Sequence, residues 1–285
     1  MATQFDDCDR RCEPCGIGAS NAADLEAVTY IHRDQLGNSP IESRDGAIEA
    51  LGQAFNVRNR GSKRRRFGFS TSEDAVTWVV FTHLLRSGQL LGTLRLAGIT
   101  AETTPETAPT FLLWDVPVDN GARGEEIRKQ LGDLCASLQD CPKSLSEPDV
   151  IVDLGEAGLV FIEVKHRSGN DLKPADYPGW SRYVSAARLG WRIEDVEAPA
   201  CYELARNWCL LKGASGERPA TLANLGPARL LGGAEGACLD RLVVALGADP
   251  RPHSMKVTWP GLLGSRIDDV PDWFSQFCRS RGLTE

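Results

Sequence analysis

Apolar residues along this 285-residue chain alternate between helical and strand-like spacing, and the switches between the two predict its elements. From Glu73 to Arg86, Val76, Val80 and Leu84 form one stripe, with Ser70, Thr71 and Ser72 as N-caps ahead of it and Gly88 as a stop behind. Ile127, Leu131, Leu134, Cys135 and Leu138 repeat in the same way and predict an amphipathic helix over 125–138. Cys201, Leu204, Trp208 and Leu211 stripe a third helix over 201–211, on which Tyr202 and Arg206 share a different face. Looser helical periodicity runs through 24–55, at Leu25, Val28 and Ile31 and then at Ile48, Leu51 and Phe55. Residues 100–109 read as a loop, and 110–118 as one buried strand.

Two more apolar runs, PDVIVDL (148–154) and GLVFIEVK (158–165), flank Gly155-Glu156-Ala157 and predict a hairpin. Side chains alternate along a strand, so a three-residue loop sets Ile151 opposite Phe161 and Asp149 opposite Glu163. Lys165 then shares the face of Glu163, and His166 points to the other. Both faces of the hairpin are apolar at its middle, which predicts burial on both sides. Two acids and a lysine at one end of such a hairpin are costly to bury unless they serve chemistry. The order helix, strand, helix, hairpin, helix predicts an α/β fold, a mixed central sheet with helices on both faces. The expected division is an N-terminal Cys-containing and helical segment, 1–45, and one α/β domain, 46–285.

Composition adds bounds. Hydrophobic residues are 42% and charged residues 25%, ordinary globular usage. The net charge of −7 argues against a protein that merely coats nucleic acid, so any such contact must be local. One basic stretch, RNRGSKRRR at 58–66, would suit a phosphate-binding loop; Arg64, Arg65 and Arg66 are its candidate contacts, and Arg206 is a further one. A flexible, solvated charge run is the plainer alternative, as is a surface pairing of Arg206 with Glu203. The polar start MATQFDDCDRRC lacks the apolar core of a signal peptide, and no apolar run is long enough to span a bilayer. A cytoplasmic protein with mostly reduced thiols is expected from its nine cysteines.

The motif Pro148-Asp149, thirteen intervening residues, and Glu163-Val164-Lys165 resembles that of the PD-(D/E)XK nuclease superfamily, the restriction-endonuclease-like fold. The resemblance spans about residues 70–210. It implies a divalent-metal-dependent nuclease, most simply an endonuclease, hydrolysing phosphodiester bonds in DNA rather than RNA. Asp149, Glu163 and the Val164 carbonyl would bind Mg²⁺ or Mn²⁺, and Lys165 would serve the attacking water. A further acid on a preceding helix is expected, either Glu73 or Asp74; Glu73 continues the buried stripe. Asp171-Leu172-Lys173 also fits the acid-x-lysine pattern but lies in a Gly/Asn/Pro loop, and Pro271-Asp272 comes too late to supply the first acid.

Other readings stay open. A nuclease-like fold serves equally as a catalytically inactive module binding nucleic acid or protein, and a homodimer or a protein partner fits the same residues. Cys8, Cys12 and Cys15 have a C-x3-C-x2-C spacing similar to the cluster loop of radical S-adenosylmethionine enzymes, in a chain without the barrel pattern. A zinc ion, an iron–sulfur cluster or three unligated thiols on a mobile tail are the alternatives there.

Overall fold

The computed structural model describes residues 4–22, 28–44, 52, 61–100, 108–118, 122–138, 147–174, 176–186, 201–246, 253–264 and 269–285. At the N-terminus, β1 (Arg10–Cys12), β2 (Ile17–Ala19) and β3 (Tyr30–His32) form a small antiparallel sheet. Residue 31, expected on a helix, is therefore on a strand, and 4–22 is a small folded appendage built on a hairpin. Three residues per strand suffice because Phe5, Cys8 and Ile31 close a separate small core beneath the sheet. Leu25, Ile48, Leu51, Phe55, Arg58 and Arg60 lie outside the described residues, as does most of the 100–109 loop.

The helices α1 (Gly61–Phe67), α2 (Glu73–Arg86) and α3 (Leu90–Leu96) follow. The basic stretch is thus helical from residue 61 onward, not a loop. α2 has the bounds its stripe predicts, and the Ser72 side chain accepts from the Ala75 N–H. Next come β4 (Thr110–Leu113), β5 (Val116–Pro117) and α4 (Ala122–Ser137). The run expected as one strand is a hairpin: Trp114 and Asp115 have φ of 51° and 66°, the two left-handed positions of a two-residue turn that matches strand twist. Neither residue is the glycine or asparagine that normally announces such a turn. The predicted hairpin is β6 (Val150–Asp153) and β7 (Leu159–Val164), joined through a 3-10 turn at Gly155–Ala157, and Ile151 pairs with Phe161 as parity requires.

The remaining elements are α5 (Trp180–Ala186), α6 (Tyr202–Ser215), β8 (Ala220–Gly226), α7 (Ala228–Leu231), α8 (Ala234–Leu246), β9 (His253–Thr258), α9 (Trp259–Leu263) and α10 (Asp272–Ser280). The main sheet is mixed, in the order β5-β4-β6-β7-β8-β9, with β7, β8 and β9 parallel and the rest antiparallel. Val150, Val152, Val160 and Ile162 face the core under α2; Ile151, Leu159 and Phe161 face the core under α4 and α6. The fold is α/β, with helices on both faces as expected.

Arg281, just past α10, donates to Asn38 and to the Ser70 carbonyl, so the last helix is tied to the segment between the two sheets. Cys201 and Cys238, with Cα atoms 6.1 Å apart, are joined as a disulfide; Cys8, Cys12, Cys15, Cys209 and Cys278 are free thiols. Among the described residues no helix is long and apolar enough to cross a membrane.

Candidate active site

Where β7 runs out, the alternation that buried Phe161 carries Glu163 and Lys165 onto the α6 side of the sheet. Each is almost fully buried, at 3% and 5% exposure. Lys165 places its ammonium 2.7 Å from Glu163 Oε1 and 3.0 Å from Glu203 Oε2. The other oxygen of Glu163 accepts from the Asn207 amide at 2.7 Å. Glu203 and Asn207 are four residues apart on α6 and so project together at the sheet. The strand end is fixed through its backbone as well: the Lys165 N–H donates to the Leu225 carbonyl, and the Lys165 carbonyl accepts from the Trp259 indole at 2.9 Å.

Asp149 enters from the facing strand. Its Oδ2 accepts from the Val164 N–H at 2.9 Å, and its own carbonyl accepts from Trp114 N–H in the β4–β5 turn at 3.0 Å. That unexpected turn therefore holds the first acid of the motif in place. From the opposite side of the sheet α2 contributes its first residue. Glu73 Oε2 accepts from the His166 N–H at 2.6 Å and from the Ser168 hydroxyl at 2.8 Å, which turns Glu73 inward. Asp74 instead takes Lys63 at 2.6 Å, and Lys63 lies 4.0 Å from Asp149 Oδ1 and over the Trp114 ring.

Asp149, Glu163, Glu203, Glu73 and Asp74, with Lys63 and Lys165, line one cleft of about 950 Å³. Of the basic candidates, Arg66 and Arg206 are on its wall and Arg64 and Arg65 are not; Arg64 reaches Gln35 instead. Arg206 hydrogen-bonds the Asn207 side-chain oxygen and feels the charge of Glu203 and then Glu163, so its pairing with Glu203 belongs to the network around Glu163. His166 is buried away from the cleft lining, its pKa lowered to about 4 by burial and then by Arg167, Arg281 and Arg229.

The sequence reading missed Lys63, Glu203 and Asn207 as site residues. Its available signal was a pair of polar side chains four apart on an otherwise apolar helix. At the other candidate site, Cys8 is part of the small core, whereas Cys12, at the end of β1, and Cys15, in the β1–β2 turn, are exposed. There their thiols hydrogen-bond each other, lowering the pKa of Cys12 and raising that of Cys15.

Electrostatics in the cleft are dominated by too many carboxylates. Burial first, then the charges of Asp149 and Glu203, push Glu163 well above the ordinary carboxyl range despite Lys165. Burial likewise raises Glu73 to about 7, with Asp149 adding to it and Lys165 opposing. Burial would lower Lys165, but Glu163, Glu203, Asp149 and Glu73 outweigh it and hold the ammonium charged well above its usual range.

Hard oxygen donors short of compensating charge suit a divalent cation such as Mg²⁺ or Mn²⁺. Among the described residues, however, no three His, Cys, Asp or Glu side chains stand ready as a ligand set. Lys165 and Asn207 occupy both oxygens of Glu163, and a cation would have to draw that carboxylate from them.

A carboxyl held protonated up to about pH 7 in the fold and about 4.5 when unfolded gives the folded state the extra proton between those values. Glu73 therefore lowers stability as pH rises from about 4.5 to 7 and leaves it level above. In metal-free protein, Glu73→Gln is expected to flatten that part of the stability–pH curve. Urea unfolding at intervals across it is the measurement; an unchanged slope would contradict the burial of an uncompensated carboxyl.

No family model, no curated protein and no solved structure matches the chain. The chemistry must be argued from the cleft itself.

Proposed function

We propose that this protein is a divalent-metal-dependent nuclease that hydrolyses phosphodiester bonds, with DNA as the substrate. One observation carries the reading: Asp149, Glu163 and Lys165 converge where a buried hairpin opens into a cleft. No need of the core explains such a cluster, because apolar residues of similar volume would fill the position at lower cost.

Asp149, Glu163 and the Val164 carbonyl would hold Mg²⁺ or Mn²⁺. When bound, that ion supplies a water of lowered pKa and polarises a phosphoryl oxygen. Lys165 does not act as the base, since its ammonium is held charged by four carboxylates. It instead offers fixed positive charge to the phosphorane-like transition state and orients the water. Glu73, tethered by the His166 N–H and the Ser168 hydroxyl, accepts a proton at neutral pH and is the better candidate for that step. Arg66 and Arg206 face the same space and would meet phosphate oxygens.

Purified protein incubated with plasmid and with single-stranded DNA is expected to cut in Mg²⁺ or Mn²⁺ and not in EDTA. A second reading, an inactive nuclease-like binding module, is favoured by the full engagement of Glu163 by Lys165 and Asn207. DNA binding without hydrolysis under either metal would replace the first reading with the second.

A further inference from the structure

Tyr177 stands at the cleft with 37% of its surface exposed, an unusual place for a large ring. It is not loosely held. Its ring meets Tyr202 edge-on, with centroids 4.9 Å apart at 85°, and Tyr202 in turn meets Trp180 at 5.2 Å and 87°. Trp180 is buried and donates through its indole to the Pro174 carbonyl at 2.9 Å, and the Tyr177 N–H donates to the same carbonyl. Gly179 makes the close approach possible: a methyl there would lie 2.5 Å from Tyr177 Cε1 and 2.5 Å from the Tyr202 hydroxyl. The Lys173 ammonium lies 5.4 Å from the centre of the Tyr177 ring, and Arg182 and Arg206 line the same cleft. Lys173 is also paired with Asp171 at 2.8 Å, so a pre-ordered aromatic edge shares the cleft with Arg182 and Arg206 as charges for phosphate.

Depth points the same way. Glu163 and Lys165 are recessed to near-complete burial, so a phosphodiester must come down to them. A cleft of about 950 Å³ falls among small-ligand pockets and has room for a nucleotide or two of a strand splayed down to those groups. We infer that Tyr177 is a stacking platform for an unpaired base, and that the cleft takes single-stranded nucleic acid in preference to duplex. The inference rests on the nuclease reading and names the form of its substrate.

The test is fluorescence anisotropy in EDTA, so that binding is read without cutting. The probes are short labelled oligo-dT and the same strand annealed to oligo-dA. Wild type is expected to bind the single strand more tightly than the duplex. Tyr177→Ala is expected to weaken single-strand binding about tenfold, within the usual range for one base–aromatic stack, and to leave duplex binding unchanged. Tyr177→Trp should retain the affinity, which separates loss of the ring from disturbance of the segment. Equal affinity for the two probes, or a Tyr177→Ala variant that binds like wild type, overturns the inference and leaves the nuclease reading standing. Wild type that binds neither probe also overturns the inference, while cutting in Mg²⁺ or Mn²⁺ decides the nuclease reading separately.

Discussion

Asp149→Asn is expected to lower metal-dependent cleavage by about a thousand-fold or more while leaving the fold intact. Asparagine keeps the shape and still offers an oxygen to the Val164 N–H, so the hydrogen bond that anchors the strand end survives. What disappears is one negative charge from a site whose carboxylates already repel one another. A hard cation loses a charged oxygen ligand, and with it several kcal/mol of transition-state stabilisation, each 1.4 or so of which is about a factor of ten in rate. Relief of repulsion on Glu163, which Asp149 helps to push upward, makes the variant at least as stable as the parent. Single-turnover cleavage and a thermal melt on the same preparation check both halves. Cleavage within about tenfold of wild type would remove Asp149 from the chemistry.

Lys165→Ala has the other large effect, and it falls first on stability. The ammonium is the partner of buried Glu163 at 2.7 Å and of half-buried Glu203 at 3.0 Å; truncation leaves Glu163 without a cation, whereas Glu203 keeps Arg206 and the Asp171 N–H. Removing one member of a buried pair typically costs about 3–5 kcal/mol. Protonation relieves the loss. With Lys165 gone, the folded-state pKa of Glu163 lies still further above its unfolded value, so the folded variant binds more protons and gains stability as pH falls. Urea unfolding at about pH 5 and about pH 8 should show the deficit mainly at the higher pH. A deficit independent of pH would mean that lost packing, not charge, explains it. Inactive Lys165→Ala protein therefore speaks to mechanism only where unfolding has been measured, and Asp149→Asn is the cleaner probe.

Periodicity revealed the parts of the molecule that local rules govern. The bounds of α2, the α6 stripe and the β6–β7 register all follow from spacing along a single segment. The β4–β5 turn escaped because two non-glycine residues adopt left-handed backbone there, a conformation that residue type argues against. β8 and β9 escaped for a different reason. Parallel strands are defined by what they pair with, and β9 buries Val257 alone in full, so no alternation marks it. The motif placed Asp149, Glu163 and Lys165 together, but the groups that hold them came from elsewhere. Asn207 is 44 residues beyond the acid it binds, and Lys63 lies on a helix hidden in what read as a charge run. Such pairings arise from the packing of separate elements, which no spacing rule encodes.

The anchoring of Lys165 also dictates when the site can exist. Its backbone is held by Leu225 and Trp259, and the fold is fastened by Arg281 reaching back to Asn38 and Ser70. A chain emerging from the ribosome forms the β6–β7 hairpin early, yet that strand end stays unpaired until β8 and α9 have been made. Until then the Lys165 backbone lacks both the Leu225 carbonyl and the Trp259 indole that fix it. Synthesis must pass Trp259 before this end of β7 is fully anchored, so a chain interrupted or clipped before α9 carries the motif without the cleft's geometry.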